Sequence, residues 1–201
     1  MKLLTLIILF TTLLAPSAST ALSAKTPNIL FIITDQHHAN MLSSAGNPYL
    51  KTKALDGMAK AGIRFTNAYV TNPVCVPSRI SMATGMMAGR FGVFNNGMRA
   101  TIPKKVSDNS LGKLIKSGGY HTFYGGKVHM APSLVPLKAG YDEYCKDQRD
   151  KLPDACIEFM TRKRDKPFFA VASFINPHDI CFAYNARQPN RKGKPLVDKL
   201  Y

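Results

Sequence analysis

An apolar run near the start of the chain most constrains what it can fold into. Residues 28–34 are nearly all apolar and lead directly into Asp35. Such a run, without alternating polar positions, is typical of a strand that a parallel sheet buries on both faces. Further strand-like stretches lie at residues 63–70, 120–124 and 168–174, and helix-like stretches at residues 52–61, 110–117 and 153–164. This alternation predicts an α/β domain with a mostly parallel central sheet flanked by helices.

Residues with known preferences mark the ends of the predicted helices. Gly62 follows the first helix as a C′ residue, and Ser110 precedes the second as an N-cap. Gly118 and Gly119 then end that second helix.

The first 24 residues have the pattern of a secretory signal peptide. Lys2 precedes an apolar stretch at residues 3–15, and small residues follow at 16–24. A membrane anchor is the alternative, although the apolar stretch is shorter than the ~20 residues that a membrane span needs. We therefore expect residues 1–24 to be removed and residues 25–201 to be secreted or periplasmic, with no membrane span remaining.

Composition and charge narrow the class of protein. With 45% hydrophobic and 19% charged residues among 201, wholesale disorder, collagen and coiled coil are excluded. Lys and Arg number 27 against 12 Asp and Glu, and the formal net charge of +15 favours an anionic partner. Nucleic acid is a poor fit for an exported chain in which basic and aromatic residues are not interleaved.

Polar residues follow several of the predicted strands. Ligands of parallel α/β sheets bind beyond the carboxyl ends of the strands, so these positions are the candidates for a site. Asp35 and Gln36 offer oxygen atoms that suit Ca²⁺ or Mg²⁺, or Asp35 caps the following turn. Cys75 lies just before Pro77, at the predicted start of a helix where anions are favoured, with Arg79 one turn on. An isolated cysteine of this kind is either a nucleophile or a buried structural residue.

The segment from Cys75 to Gly85 resembles the signature of a known family. It reads Cys-x-Pro-Ser-Arg followed by Thr-Gly, which is similar to the signature of the type I sulfatases of the alkaline phosphatase superfamily. Met82 stands where the family often has Leu. The segments at residues 27–36, 64–69, 126–129 and 176–178 also resemble motifs of this family, the second of them as the strand before the signature.

The resemblance implies an unusual nucleophile. In this family a separate maturation enzyme oxidises the signature cysteine to formylglycine, an aldehyde that hydrates to a geminal diol. One hydroxyl attacks the sulfur of a sulfate ester, the alcohol leaves, and the second hydroxyl then drives release of sulfate. Cys75 takes the place of that cysteine here. The implied partners are the formylglycine-generating enzyme and a sulfated small molecule or glycan.

The resemblance also implies ligands for a metal. Asp35, Gln36 and the formylglycine made from Cys75 would bind a divalent cation, Ca²⁺ first and Mg²⁺ as the alternative. Many family members have Asp where Gln36 stands, so the site here has less negative charge. Arg79 would hold the formylglycine and help to fix the metal site.

Three further residues match the family's substrate-side motifs. Lys127 and His129 would bind the sulfate and its leaving oxygen, and His178 would protonate the leaving group or bind sulfate. Taken alone, Lys127 is equally a solvated surface charge, and the two histidines are equally hydrogen-bonded loop residues.

The four cysteines allow at most one disulfide if Cys75 is converted. Cys145, Cys156 and Cys181 then remain, and one thiol is left over. Cys145 and Cys156 are nearest in sequence, but the sequence does not choose the pair. Cys181 follows the motif at residues 176–178 closely enough to lie near the site.

The family's metal site needs a second ligand pair, an Asp followed by Asn or His, with a Lys further on. In the family this pair comes from much later in the chain, and Asp147, Asp154, Asp165, Asp179 and Asp198 are not followed by Asn or His, so we expect residues 25–201 to be an incomplete N-terminal part of the catalytic domain. A cation should bind weakly to it, and turnover by the isolated chain should be small.

Three functions remain open from the sequence. The first is a sulfatase, with basic clusters at residues 162–164 and 191–194 that suit a sulfated carbohydrate or form a solvated basic face. The second is a phosphonate or phosphodiester hydrolase of the same superfamily. The third is an inactive, truncated remnant.

Overall fold

The structure is a computed structural model that describes residues 26–181 except Met98. Its described residues contain one four-stranded sheet in which every neighbouring pair is parallel. The strands are β1 (Ile29–Asp35), β2 (His121–Gly126), β3 (Glu143–Cys145) and β4 (Phe168–Pro177). Their order across the sheet is β1-β4-β2-β3. The predicted parallel α/β architecture is confirmed, and β3 is a short strand that the sequence pattern did not predict.

Five helices flank this sheet or lie near it in the described part of the chain. They are α1 (Lys53–Ala61), α2 (Cys75–Thr84), α3 (Lys104–Ser107), α4 (Leu111–Ser117) and α5 (Leu152–Thr161). Helices α1, α4 and α5 match the three predicted stretches. Gly62 follows α1 as expected. Ser110 stands at the N-cap position of α4, but its hydroxyl donates to the carbonyl of Ala139 instead of capping the helix.

Helices cover both faces of the two central strands. On one face, α5 places Phe159 and Leu152 against Phe123 of β2 and Phe168 of β4. On the other face, Tyr124 and Phe169 pack in a second cluster that includes Leu111 of α4. Successive strand residues point to opposite faces, so the continuous apolar sequence of β4 serves both clusters.

Strand β1 departs from the expectation that both its faces are buried. Phe31 and Ile33 pack into the cluster on the α4 side, whereas Leu30 and Ile32 are 42% and 39% exposed. The reason is that the cluster formed by α5 on the other side of the sheet packs on β2 and β4 and includes neither Leu30 nor Ile32. An apolar run shows that both faces of a strand can be buried. The elements that pack against the strand decide which face is covered.

The strand predicted at residues 63–70 is wrong for the described structure. This segment has no regular structure, and Ile63, Phe65 and Tyr69 are 82%, 79% and 91% exposed. A strand is stabilised by backbone hydrogen bonds to a neighbour, and none of the described strands pairs with this segment.

Parts of both chain ends lie outside the described residues. The predicted signal peptide at residues 1–24 lies outside the described residues, as does the basic cluster at residues 191–194. Among the residues that are described, no helix combines the length and the apolar character that a bilayer crossing needs.

Gly126 at the end of β2 provides a test of how closely the central strands approach. Its φ is +93°, and a Cβ at this position would overlap the backbone carbonyl of Ser173 in β4. Gly119 has a similar φ of +91°, but a Cβ there would meet open space. Substitution of Gly119 therefore measures the cost of the backbone conformation without a steric overlap. We expect Gly126→Ala to lower the free energy of unfolding by about 3 kcal/mol or more, and Gly119→Ala by only about 1–2 kcal/mol. Urea denaturation of both variants measures the difference, and equal losses would contradict the close approach.

Candidate active site

The carboxyl ends of three parallel strands meet the start of a helix at one edge of the sheet. Strand β1 ends at Asp35, Lys127 follows β2, and His178 follows β4. Helix α2 begins at Cys75, as predicted. Because β4 lies between β1 and β2, residues far apart in the sequence come together here.

Asp35 is the buried centre of this edge. It is 6% exposed, and its Oδ2 lies 2.9 Å from both Arg79 Nη2 and Lys127 Nζ. Burial opposes the charged carboxylate, but the hydrogen bonds and charges of Lys127 and Arg79 outweigh it and hold the pKa of Asp35 below its usual value. Asp35 is therefore an ionised partner for two cations at neutral pH.

Arg79 is 3% exposed and reaches three elements of the fold. Its Nη2 donates to Asp35, and its Nη1 donates to the Lys127 carbonyl at 2.7 Å and to Ser173 Oγ at 2.8 Å. The part of the chain that the structure describes contains no hydrogen bond from Arg79 to Cys75. The guanidinium therefore binds the carboxylate of Asp35 and the backbone carbonyl of Lys127.

Cys75 lies between opposite charges. Its Sγ is 3.4 Å from Asp35 Oδ1 and 3.7 Å from Lys127 Nζ. The next residue, Val76, donates its backbone N–H to Asn96 Oδ1 at 2.9 Å, so Asn96 satisfies one of the free amides at the start of α2. Lys127 is only 7% exposed, which rules out a solvated surface charge.

Gln36 and His178 form a second group beside Asp35. The Nδ1 atom of His178 lies 2.6 Å from Gln36 Oε1, where it donates, and 3.6 Å from Asp35 Oδ1. Cys181 Sγ lies 3.5 Å from Gln36 Nε2, so the expectation that Cys181 lies near the site is confirmed. One ligand atom each from Asp35, Cys75 and His178 fall within 4.8 Å of one another, a spacing that a metal ion could bridge.

His129 stands slightly apart from this group. It makes no hydrogen bond to the other site residues within the described chain, but it lines a neighbouring cleft. Partial burial, then the charges of Lys127 and Arg79, lower the pKa of His129. Gln36 and His129 have φ values of 58° and 42°, which are uncommon for residues other than glycine and mark local strain at the site.

Two clefts open at this edge of the sheet. The first, here called the Cys75 cleft, has a volume of about 450 Å³ and is lined by Asp35, Gln36, Cys75 and His178. The second, here called the Arg99 cleft, has a volume of about 400 Å³ and is lined by Arg99 and His129. Asn96 lines both clefts, so the two lie side by side.

Sequence reasoning missed Asn96, Tyr124 and Ser173. Each acts through a partner that the sequence does not reveal: Asn96 bonds the amide of Val76, and both hydroxyls donate to the Lys127 carbonyl at 2.8 Å. Only the fold creates these pairs.

The four cysteines all lie in the described part of the chain, and all are free thiols there, so the single disulfide that the sequence allows is not formed.

Comparison with known proteins agrees with this arrangement. The family model described as Sulfatase matches residues 27–196. The chain belongs to the sulfatase family. An ulvan-active sulfatase of Formosa agariphila is 31% identical over 185 residues, which cover 76% of this chain and 35% of that protein. The N-acetylgalactosamine-6-sulfatase of Homo sapiens is 35% identical over 129 residues, covering 59% of this chain and 25% of that protein.

The fold is also that of solved sulfatases. The structure of BT1596, described as a 2-O GAG sulfatase, superposes with a TM-score of 0.67 at 26% identity and covers 88% of this chain and 41% of that one. The expected alkaline phosphatase-like sulfatase fold is thereby confirmed. The chain spans well under half the length of these sulfatases.

The lowered pKa of His129 predicts a pH dependence of stability. The folded protein disfavours the imidazolium, so the unfolded chain binds the proton first as the pH falls through the ordinary value of 6.5. We expect the free energy of unfolding to fall as the pH drops below about 6.5, and to fall less in His129→Gln. Denaturation curves between pH 5 and pH 7.5 test this, and parallel curves for the two proteins would overturn it.

Proposed function

We propose that the protein hydrolyses sulfate esters, with formylglycine made from Cys75 as its nucleophile. The observation that carries this proposal is the position of Cys75 Sγ between the Asp35 carboxylate and the Lys127 ammonium in an open cleft. A catalytic cysteine needs access to substrate and nearby charge, and this one has both. Membership of the sulfatase family supports the same chemistry.

Asp35 and Gln36 are the residues that would hold a divalent cation, together with the modified Cys75. Their carboxylate and amide oxygens are hard donors, which fit Ca²⁺ first and Mg²⁺ second. Gln36 Oε1 accepts a hydrogen bond from His178 and lies 3.6 Å from Cys181 Sγ, so a bound cation would replace this weaker thiol contact. When bound, such an ion would neutralise charge on the sulfate and favour deprotonation of the nucleophile.

Lys127 is placed to bind the sulfate group. Its ammonium has three N–H donors, of which one meets Asp35 Oδ2 and one is directed at Cys75 Sγ. The third is available to a sulfate oxygen held against Cys75. Arg79 supports this by pairing with Asp35, which leaves one surplus positive charge among the three side chains.

The two histidines take different positions around the leaving group. His178 lines the Cys75 cleft and is the proposed proton donor to the leaving oxygen or a ligand of the sulfate. His129 lines the Arg99 cleft, where its imidazole would contact the alcohol that leaves. Its lowered pKa keeps it neutral at pH 7, so it binds as a hydrogen-bonding group and adds no charge.

A sulfated carbohydrate is the proposed class of substrate. The Arg99 cleft joins apolar walls from Val76 and Ala131 to polar groups of Arg99 and Thr101, a mixture that suits a sugar ring. Two relatives are named ulvan-active sulfatase and N-acetylgalactosamine-6-sulfatase. The +15 net charge is consistent with an anionic glycan.

The basic cluster at residues 162–164 contributes less to the proposed binding of a glycan than its sequence suggests. Arg162 pairs with Glu143 and Glu158, and Arg164 lies over the ring of Phe159 at 4.3 Å. These two side chains therefore serve the fold around α5, and the cluster is not the proposed glycan site.

Phosphonate or phosphodiester hydrolysis is the less favoured alternative, because the relatives described above are sulfatases. The relative turnover of sulfate and phosphate esters by the full-length protein distinguishes the two.

Export with removal of residues 1–24 and maturation by a formylglycine-generating enzyme complete the proposal. The proposed location is outside the cell or in the periplasm.

Mass spectrometry of the Cys75 peptide tests the nucleophile. In protein produced together with a formylglycine-generating enzyme, we expect this peptide to lose about 18 Da relative to the thiol form. The Cys156 peptide of the same digest is the control and keeps its thiol mass. An unmodified Cys75, in cells where the enzyme converts another sulfatase, would contradict the proposed nucleophile.

Substitution of Arg99 tests the proposed sugar cleft. We expect Arg99→Ala to weaken binding of a sulfated disaccharide that also carries a uronate carboxylate by about tenfold, because a charged hydrogen bond is lost. Binding of inorganic sulfate should not change. Arg90→Ala, which removes an exposed arginine outside both clefts, is the matched control. Calorimetric titration measures the affinity for both ligands. Equal effects of the two substitutions on binding of the disaccharide would refute the Arg99 cleft as the sugar site.

A further inference from the structure

The backbone carbonyl of Lys127 is the meeting point of three hydrogen-bond donors. Arg79 Nη1 approaches it at 2.7 Å, and the hydroxyls of Tyr124 and Ser173 each approach it at 2.8 Å. A carbonyl oxygen has two lone pairs, so three donors saturate it. The group formed by Arg79, Tyr124, Ser173 and this carbonyl is called the Lys127 clasp below.

The clasp is buried and joins separate elements of the fold. Arg79, Tyr124 and Ser173 are 3%, 4% and 0% exposed, and they belong to α2, β2 and β4. Ser173 holds residue 127 twice, because the Lys127 amide donates to the Ser173 carbonyl at 2.8 Å while the Ser173 hydroxyl donates to the Lys127 carbonyl. The backbone of Lys127 is thus tied to β4 on both sides of its Cα atom.

The same two hydroxyls also accept from Arg79. Its Nη1 donates to Ser173 Oγ at 2.8 Å and lies 3.4 Å from Tyr124 Oη. Burial raises the pKa of Tyr124 above its ordinary value, although the charge of Arg79 works against this, so its hydroxyl keeps the proton that it donates. With Nη1 held in this way, Nη2 is directed at Asp35.

We propose that Tyr124 and Ser173 are positioning residues that hold Lys127 and Arg79 in place against Asp35 and Cys75. Neither hydroxyl lines the Cys75 cleft, so each acts through the clasp and not by touching a substrate. Loss of either hydroxyl leaves Arg79 Nη1 and the Lys127 carbonyl with fewer buried partners, and both side chains gain freedom. As far as it concerns anion binding by Lys127, the inference rests on the proposed function.

The structure supplies matched controls for both hydroxyls. Tyr141 is a buried tyrosine whose ring packs edge-on against that of Tyr124 at 5.2 Å, but it takes no part in the clasp. Ser110 is fully buried and donates to the backbone carbonyl of Ala139 at 3.0 Å. Tyr141→Phe and Ser110→Ala therefore remove the same atoms as Tyr124→Phe and Ser173→Ala from comparable surroundings.

The first measurement follows Arg79 directly in the full chain by NMR. In the unsubstituted protein we expect separate, slowly exchanging Nη proton signals from Arg79, because its guanidinium is held by four acceptors: Asp35, the Lys127 carbonyl and the two clasp hydroxyls. Tyr124→Phe and Ser173→Ala should broaden or lose these signals, whereas Tyr141→Phe and Ser110→Ala keep them. Unchanged signals in both clasp variants, or equal loss in the controls, would overturn the clasp.

The second measurement is the affinity for inorganic sulfate by calorimetry. We expect it to fall about tenfold in each clasp variant and to stay unchanged in the controls, even where Ser173→Ala and Ser110→Ala lose similar stability in urea. Broadened or lost Arg79 signals together with an unchanged sulfate affinity would refute the positioning role. If the unsubstituted chain binds no sulfate, the proposed anion site fails, while the Arg79 signals still decide whether the clasp holds Arg79.

Discussion

The ion pairs of Asp35 are the interaction on which the rest of the site depends. A single buried carboxylate meets two cations at 2.9 Å, and removal of one partner from such a pair typically costs about 3–5 kcal/mol, since a buried charge is left alone. Arg79 comes from α2 and Lys127 follows β2, so the pairing joins three elements around the end of β1. It also leaves one uncompensated positive charge beside Cys75, which is the electrostatic condition for binding an anion such as sulfate.

The order of strands makes this pairing possible. Strand β4 lies between β1 and β2, so their carboxyl ends stand on either side of Ser173. The absence of a side chain at Gly126 lets the backbone of residue 127 approach β4 closely. Lys127 can then present its carbonyl inward to Arg79 and its ammonium outward to Asp35 and Cys75. A sheet with another order would separate these groups, whatever its local sequence.

Much of the fold and most members of the candidate site could be predicted from the sequence, for identifiable reasons. The apolar runs of β1 and β4 and the helical pattern of α5 reflect burial, which local sequence encodes directly. Asp35, Gln36, Cys75 and His178 were predicted together because each stands next to a strand end or in the signature. The strand predicted at residues 63–70 was wrong because β-sheet pairing requires a neighbour, and no described strand pairs with that segment.

The sequence by itself determined which chemical groups are present and which stretches can form strands and helices. It placed Cys75 at the start of a helix and Asp35 at the end of a strand, and both positions hold in the structure. Only the tertiary structure decided that Arg79 binds Asp35 and the Lys127 carbonyl, that Asn96 bonds the amide after Cys75, and which face of β1 is covered. The physical reason is that local preferences act over a few residues, whereas these contacts join side chains and backbone groups that become neighbours only when the sheet is assembled.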